Sequence, residues 1–206
     1  NMVFFSMGDI PFNKIVKWAE SLFSTLPAHS SPQKRKVPTL SSASSLTMSK
    51  ETHQAHVMIG SHAFSMFDEK RIPMFLLNNI IGGPGMNNRL NVSLREHNGL
   101  VYSVESNITS YTDTGLFSIY FGTDPKNKEK AIRLVHREIE KLHETKLTEK
   151  QLTAAKKQAL GQLGVSIDNR EGLFLNMGKS FLHYNFFASM EEVFNQINDI
   201  TAEGIL

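Results

Sequence analysis

The chain has 206 residues, of which 40% are hydrophobic and 20% charged, a globular composition that excludes a disordered or fibrous class. Lys and Arg number 22 against 20 Asp and Glu, a net charge of +2, which is too balanced for nucleic-acid or membrane association driven by bulk charge. Cysteine is absent, which excludes disulfides, thiolate metal sites and cysteine nucleophiles and fits a cytoplasmic or a periplasmic address.

Residues 2–8 read as a short buried strand broken at Gly8-Asp9. Asp9 is placed to cap the helix that follows, and Pro11 suits its first turn. Ile15, Val16, Ala19, Leu22 and Phe23 then recur at helical spacing. Such a strand and helix cannot cover their own apolar face and need a neighbour. Beyond Pro27 the composition turns to Ser, Thr and Pro, with a basic knot at Lys34-Arg35-Lys36. Residues 26–50 read as an interdomain linker and the knot as solvated charge.

Residues 54–62 predict a strand with Val57 and Ile59 on one face and His56 and Met58 on the other. Asp68 or Glu69 opens a helix carrying Ile72, Phe75, Leu76 and Ile80, which Gly82-Gly83-Pro84-Gly85 stops. A short helix from Asn87 to His97 ends at Gly99. Residues 101–108 and 116–123 then read as a hairpin around the turn 109–115. The remainder is helical: 127–144 with a stripe from Ala131 to Leu142, a helix opened by the Thr148/Gln151 capping box, and two more near 170–184 and 189–199. Asn1 follows no basic leader, and Thr201-Ala202-Glu203 reads as the start of a further helix. The expectation is a piece of a longer polypeptide.

Several motifs invite chemistry and carry little. His53, His56 and His62 lie on or beside one strand, but alternation puts only His56 and His62 on one face, far apart and with no third ligand in view. His136, Glu140 and His143 share one side of their helix, but at about 100° per residue that side is about 120° from the apolar stripe and points to water. Gly178-Lys179-Ser180 lacks the strand and the spacing of a phosphate loop. Gly82, Gly83 and Gly85 fit a helix-terminating loop as well as a functional one. The informative pair is Arg95 and Tyr102, in the last turn of the short helix and at the start of the next strand. Only the Gly99 turn separates them. A guanidinium and a phenol are donors suited to peptide carbonyl oxygens, and a phenol can stabilise a forming oxyanion. From the residues alone, a packed tyrosine and a solvated arginine are the simpler account of the pair.

The run Ile81-Gly82-Gly83-Pro84-Gly85-Met86-Asn87-Asn88-Arg89-Leu90, then Leu94-Arg95-Glu96 and Gly99-Leu100-Val101-Tyr102-Ser103, resembles the inverted-zincin peptidases, a family that includes pitrilysin, insulin-degrading enzyme and mitochondrial processing peptidase. Asp113-Thr114-Gly115-Leu116-Phe117, Gly122-Thr123-Asp124-Pro125 and Leu147-Thr148-Glu149 continue the likeness across nearly all of residues 53–206. The resemblance implies an α+β fold, a mostly antiparallel sheet with helices packed on one side as a two-layer sandwich. It further implies that residues 1–25 are the strand and helix of a preceding domain and that 51–206 form a C-terminal domain without zinc. The family's zinc ligands lie in an H-x-x-E-H motif, which this chain lacks. Zinc is therefore expected in the parent enzyme, on an N-terminal domain of the same or a partner chain, within a homo- or heterodimer. Arg95 and Tyr102 match the seven-position spacing of a substrate-contacting pair in such domains, and Gly82, Gly83 and Gly85 are lesser candidates for touching peptide. The implied function is substrate binding in a chamber-forming zinc endopeptidase, with the fragment inactive by itself. A non-catalytic scaffold, or the partner subunit of a two-protein peptidase, is the alternative. Because a domain of this kind is expected to end in a strand and helix, residues 2–23 are expected to fill that position on the sheet, in the same molecule or in a neighbouring one.

Overall fold

The computed structural model describes residues 2–27, 36–39 and 42–205; Lys34 and Arg35 of the basic knot lie outside these. The chain divides into two compact units, residues 1–34 with 161–193, and residues 35–160 with 194–206.

In the second unit, alternation of inward Val57 and Ile59 with exposed His56 and Met58 forms β1 (Ala55–Ala63). The hairpin comprises β2 (Val101–Ser110) and β3 (Gly115–Thr123), closed by the Tyr111 N–H donating to the Thr114 carbonyl at 2.8 Å. The strand order is β1-β3-β2, antiparallel throughout. A Cβ on Gly115 would lie 2.2 Å from the Phe64 carbonyl oxygen, so only glycine lets β3 begin this close to the end of β1. Phe117, Ile119 and Phe121 bury one face of the central strand. On the other face His56, Met58, Tyr102 and Leu116 are exposed.

Helix α2 (Arg71–Ile81) packs on β2, as does a six-residue π-helical turn over Asn91–Glu96, and α3 (Lys128–Glu144) packs on that turn. Leu76, Leu90, Leu94, Ala131 and Val135 are wholly buried; each large aliphatic side chain so placed contributes about 1.5–3 kcal/mol. Helix α3 buries Ala131, Val135, Glu138 and Leu142 on one stripe, with Glu138 ion-paired to Lys141 at 2.6 Å. The capping box at α4 (Glu149–Ile167) is made: the Thr148 N–H donates to Gln151 Oε1 at 2.9 Å and the Gln151 N–H to Thr148 Oγ1 at 3.3 Å. The sheet-and-helix arrangement is the expected α+β fold.

In the first unit, α1 (Phe12–Phe23) has Pro11 at its N-cap position and no side-chain cap, so Asp9 does not do the work expected of it. Residues 2–8 form no strand, which corrects the sequence reading. Their aromatic rings pack on helices instead: Phe4 on Phe23 at 5.4 Å, and Phe5 on Phe174 of α5 (Arg170–Tyr184) at 5.1 Å. The three-stranded sheet takes no strand from residues 2–23, so within one molecule the expectation that this segment completes the sheet is corrected. Gly178-Lys179-Ser180 lies inside α5, with the Phe5 side chain against Gly178. Helix α6 (Met190–Asn198) opens on a second capping box, Ser189 with Glu192, which the sequence reading did not single out.

Candidate functional site

The site is built on the loop, turn and strand between α2 and β3. Helix α2 ends at Gly82, whose carbonyl accepts the Ser106 N–H of β2 at 2.8 Å. A Cβ at Gly82 would stand 2.9 Å from Ser106 Oγ, and one at Gly83 would stand 2.6 Å from the Asn79 Cα. These two glycines thus let the loop lie directly against strand and helix backbone. Gly85 is needed for a different reason, a φ of +112°.

Asn88 organises the loop from inside. It is 3% exposed; its Nδ2 donates to the Gly83 carbonyl at 2.8 Å and the Gly85 carbonyl at 2.7 Å. Its Oδ1 accepts from the Asn91 backbone at 2.8 Å and from Asn91 Nδ2 at 3.1 Å. Asn91 Nδ2 also reaches the Val104 carbonyl at 3.3 Å. Two buried amides therefore fasten the glycine loop to the π turn and to β2. With Ser106 bonded to Gly82, they also occupy the outer edge of β2, which would otherwise offer itself to another strand. Outside the core, Asn87 and Gln158 pair through their amides at 2.8 Å and tie the loop to α4.

Arg95 stands in the π turn, where the His97 N–H donates to the Val92 carbonyl at 3.0 Å across five residues. Such wide turns are rare and concentrate at functional sites. Its guanidinium Nε lies 3.6 Å from Glu96 Oε1, and the side chain is 34% exposed, so the pairing is weak and open to competition. The chain reverses at Gly99, whose φ of +57° favours glycine although a Cβ there would meet nothing within 4 Å. Thr123, 2% exposed, donates from Oγ1 to the Leu100 carbonyl at 2.7 Å and pins this reversal to β3.

Tyr102 follows at once. The register passes from Val101 opposite Thr123 to Val104 opposite Phe121, so Tyr102 and Ser103 together face Gly122 in a bulge. Both residues are exposed, Tyr102 by 86%. The phenol is therefore not packed in the core, and the extra residue is what keeps it out. On the same open face the His56 ring nitrogen Nδ1 and the Tyr120 hydroxyl are hydrogen-bonded at 2.7 Å. His136, Glu140 and His143 are exposed along α3. Asn88, Asn91 and Thr123 were not singled out in the sequence. Asn88 and Thr123 stand there only as members of the motifs that carry the family resemblance, and Asn91 carries no signal of its own.

The model of the peptidase M16 inactive domain matches residues 1–159. An uncharacterized zinc protease of Bacillus subtilis, YmxG, is 31% identical over 78% of this chain and 39% of its own length. An uncharacterized zinc protease of Streptomyces coelicolor is 27% identical over 100% of this chain and 46% of its own length. The chain thus spans less than half the length of these relatives. Among solved structures, the peptidase M16 inactive domain from Pseudomonas fluorescens superposes with a TM-score of 0.63 at 29% identity, covering 75% of this chain and 37% of that one. A protease from Helicobacter pylori shares the fold with a TM-score of 0.73 at 15% identity, over 96% of this chain and 49% of that one. The chain belongs to the M16 peptidase family, as an inactive domain of that family.

Proposed function

We propose that this chain is the peptide-binding wall of a zinc endopeptidase whose catalytic domain lies on the same or a partner polypeptide. The relatives named zinc proteases support the reading at the level of the family. Among the described residues no group of three or more His, Asp or Glu is placed to hold a metal ion. On this proposal the part of the chain's own residues is binding and polarising the peptide. In this reading residues 51–206 form the peptide-facing domain, residues 26–50 are the linker, and residues 1–25 belong to the domain before it.

The observation that carries the proposal is Tyr102 held outward on a bulge, one pinned glycine turn from Arg95 in a π turn. Arg95 holds backbone carbonyls of an extended peptide through its planar fork of donors. Tyr102 donates a hydrogen bond from its hydroxyl to the scissile carbonyl oxygen as negative charge develops there. Gly82 and Gly83 are buried with their N–H and C=O groups bonded within the fold, so they shape the loop rather than touch peptide, and the exposed Gly85 is the glycine placed to meet it.

The test is peptide hydrolysis by the full-length protein, as monomer or assembled dimer. Tyr102→Phe is expected to lower kcat by roughly 10²-fold, the weight of one oxyanion donor, while Arg95→Gln raises KM. An unchanged kcat in Tyr102→Phe removes the role. A full-length protein that binds peptide without cleaving it favours the scaffold or partner-subunit alternative.

A further inference from the structure

We propose that the cleft beside Arg89 is a carboxylate-binding site, sized for a single residue of a peptide. The cleft, about 220 Å³, lies between the loop after α2 and the first half of α4. Its polar side is Arg89 with the amides of Asn79, Asn87, Gln151 and Gln158, and no acidic side chain lines it. Arg89 is partly buried and has no hydrogen bond or ion pair to any described residue. A guanidinium drawn partly out of water without a counter-charge is costly to keep. Arg95, by contrast, has Glu96 beside it.

Its stem is rigid. The preceding Asn88 is locked by its amide bonds to Gly83, Gly85 and Asn91, and the following Leu90 is 0% exposed. Across the cleft, Gln151 spends its carbonyl oxygen on the Thr148 cap, which leaves its amide N–H groups as a second donor. Ile80, Leu147 and Ala155 make the remaining wall apolar. One fork of donors and one apolar wall fit a carboxylate on an aliphatic stem. The volume falls below the ~300 Å³ at which pockets for drug-sized ligands begin. A peptide can present this chemistry as its C-terminal carboxylate or as an Asp or Glu side chain. The proposal does not rest on the Arg95–Tyr102 reading.

The experiment titrates the 206-residue chain with three labelled short peptides, followed by fluorescence anisotropy. One ends in leucine with a free carboxylate, one is its C-terminal amide, and one is that amide with an internal aspartate. The expected result is tighter binding of one or both carboxylate-bearing peptides than of the plain amide; which of the two gains affinity identifies the source. Arg89→Gln is expected to weaken binding by ~10- to 100-fold, the range for a charge-assisted hydrogen bond. Ala155→Leu keeps the charge but fills the cleft and is expected to weaken binding as well. It carries the test if the arginine variant does not fold. The affinity gap between a carboxylate peptide and the plain amide is the quantity compared between variants and wild type, so peptide held elsewhere on the chain does not count toward it. Equal binding of the plain amide, no binding of either carboxylate peptide at millimolar concentration, or wild-type affinity in the folded variants overturns the proposal.

Discussion

Asn88→Asp tests whether a buried amide holds the candidate site together. The replacement is isosteric and keeps the Oδ1 acceptor that serves Asn91. It replaces the Nδ2 donor with an oxygen that faces the Gly83 and Gly85 carbonyls at 2.8 and 2.7 Å. Two hydrogen bonds, each worth about 1 kcal/mol net, are lost, and the facing carbonyls are left without their buried donor at about 1–3 kcal/mol. The expected destabilisation near neutral pH is about 3–5 kcal/mol, a large share of a typical domain's stability. With a urea m-value of about 2 kcal/mol/M, the unfolding midpoint falls by about 2 M. The new carboxyl is buried and faces oxygens, so its folded-state pKa is raised above the unfolded value of about 3.9. The penalty is therefore full above the folded pKa and fades as the pH falls toward the unfolded one, where a protonated acid can donate to one carbonyl. Urea melts at several pH values read both quantities. A midpoint shift under ~0.5 M at neutral pH, or a penalty that does not shrink on acidification, refutes the reasoning.

Gly83→Ala forces a Cβ to 2.6 Å from the Asn79 Cα and is expected to cost more than Gly99→Ala, where the penalty is the positive φ alone, about 1–2 kcal/mol; denaturant melts of the pair check the order. Thr123→Val keeps the shape but removes the 2.7 Å bond to the Leu100 carbonyl, for an expected loss of about 1–3 kcal/mol. Its amide-exchange signature should be faster exchange confined first to the Gly99–Tyr102 reversal. The backbone N–H of Lys126, and then its ammonium group, hold the Asp124 carboxyl below its usual pKa. Its stabilising effect is present above the unfolded pKa and lost as pH falls through the lowered one, so an NMR titration should find Asp124 protonating below the ordinary aspartate range, and in Lys126→Ala closer to that range.

The fold was legible because most elements advertise themselves locally. Period-two alternation marked the strand around Val57 and Ile59, and helical spacing marked the stripe from Ala131 to Leu142, since each must bury one face. Thr148 with Gln151 announced a helix start because its capping bonds span only three residues. The apolar run at residues 2–8 misled for the complementary reason. Hydrophobicity demands burial but does not say against what, and here helices supply the partner.

The chain's residues by themselves determined the order of helices and strands beyond the linker, the family, and the nomination of Arg95 and Tyr102. Tertiary structure decided the rest. Whether Tyr102 faces solvent depends on one extra residue in β2 relative to β3, and a register offset belongs to a pair of strands rather than to either one. Whether a polar residue in an apolar stretch is surface or scaffold likewise depends on partners far away in sequence. Asn91 meets Val104 and Thr123 meets Leu100 only after the hairpin has closed.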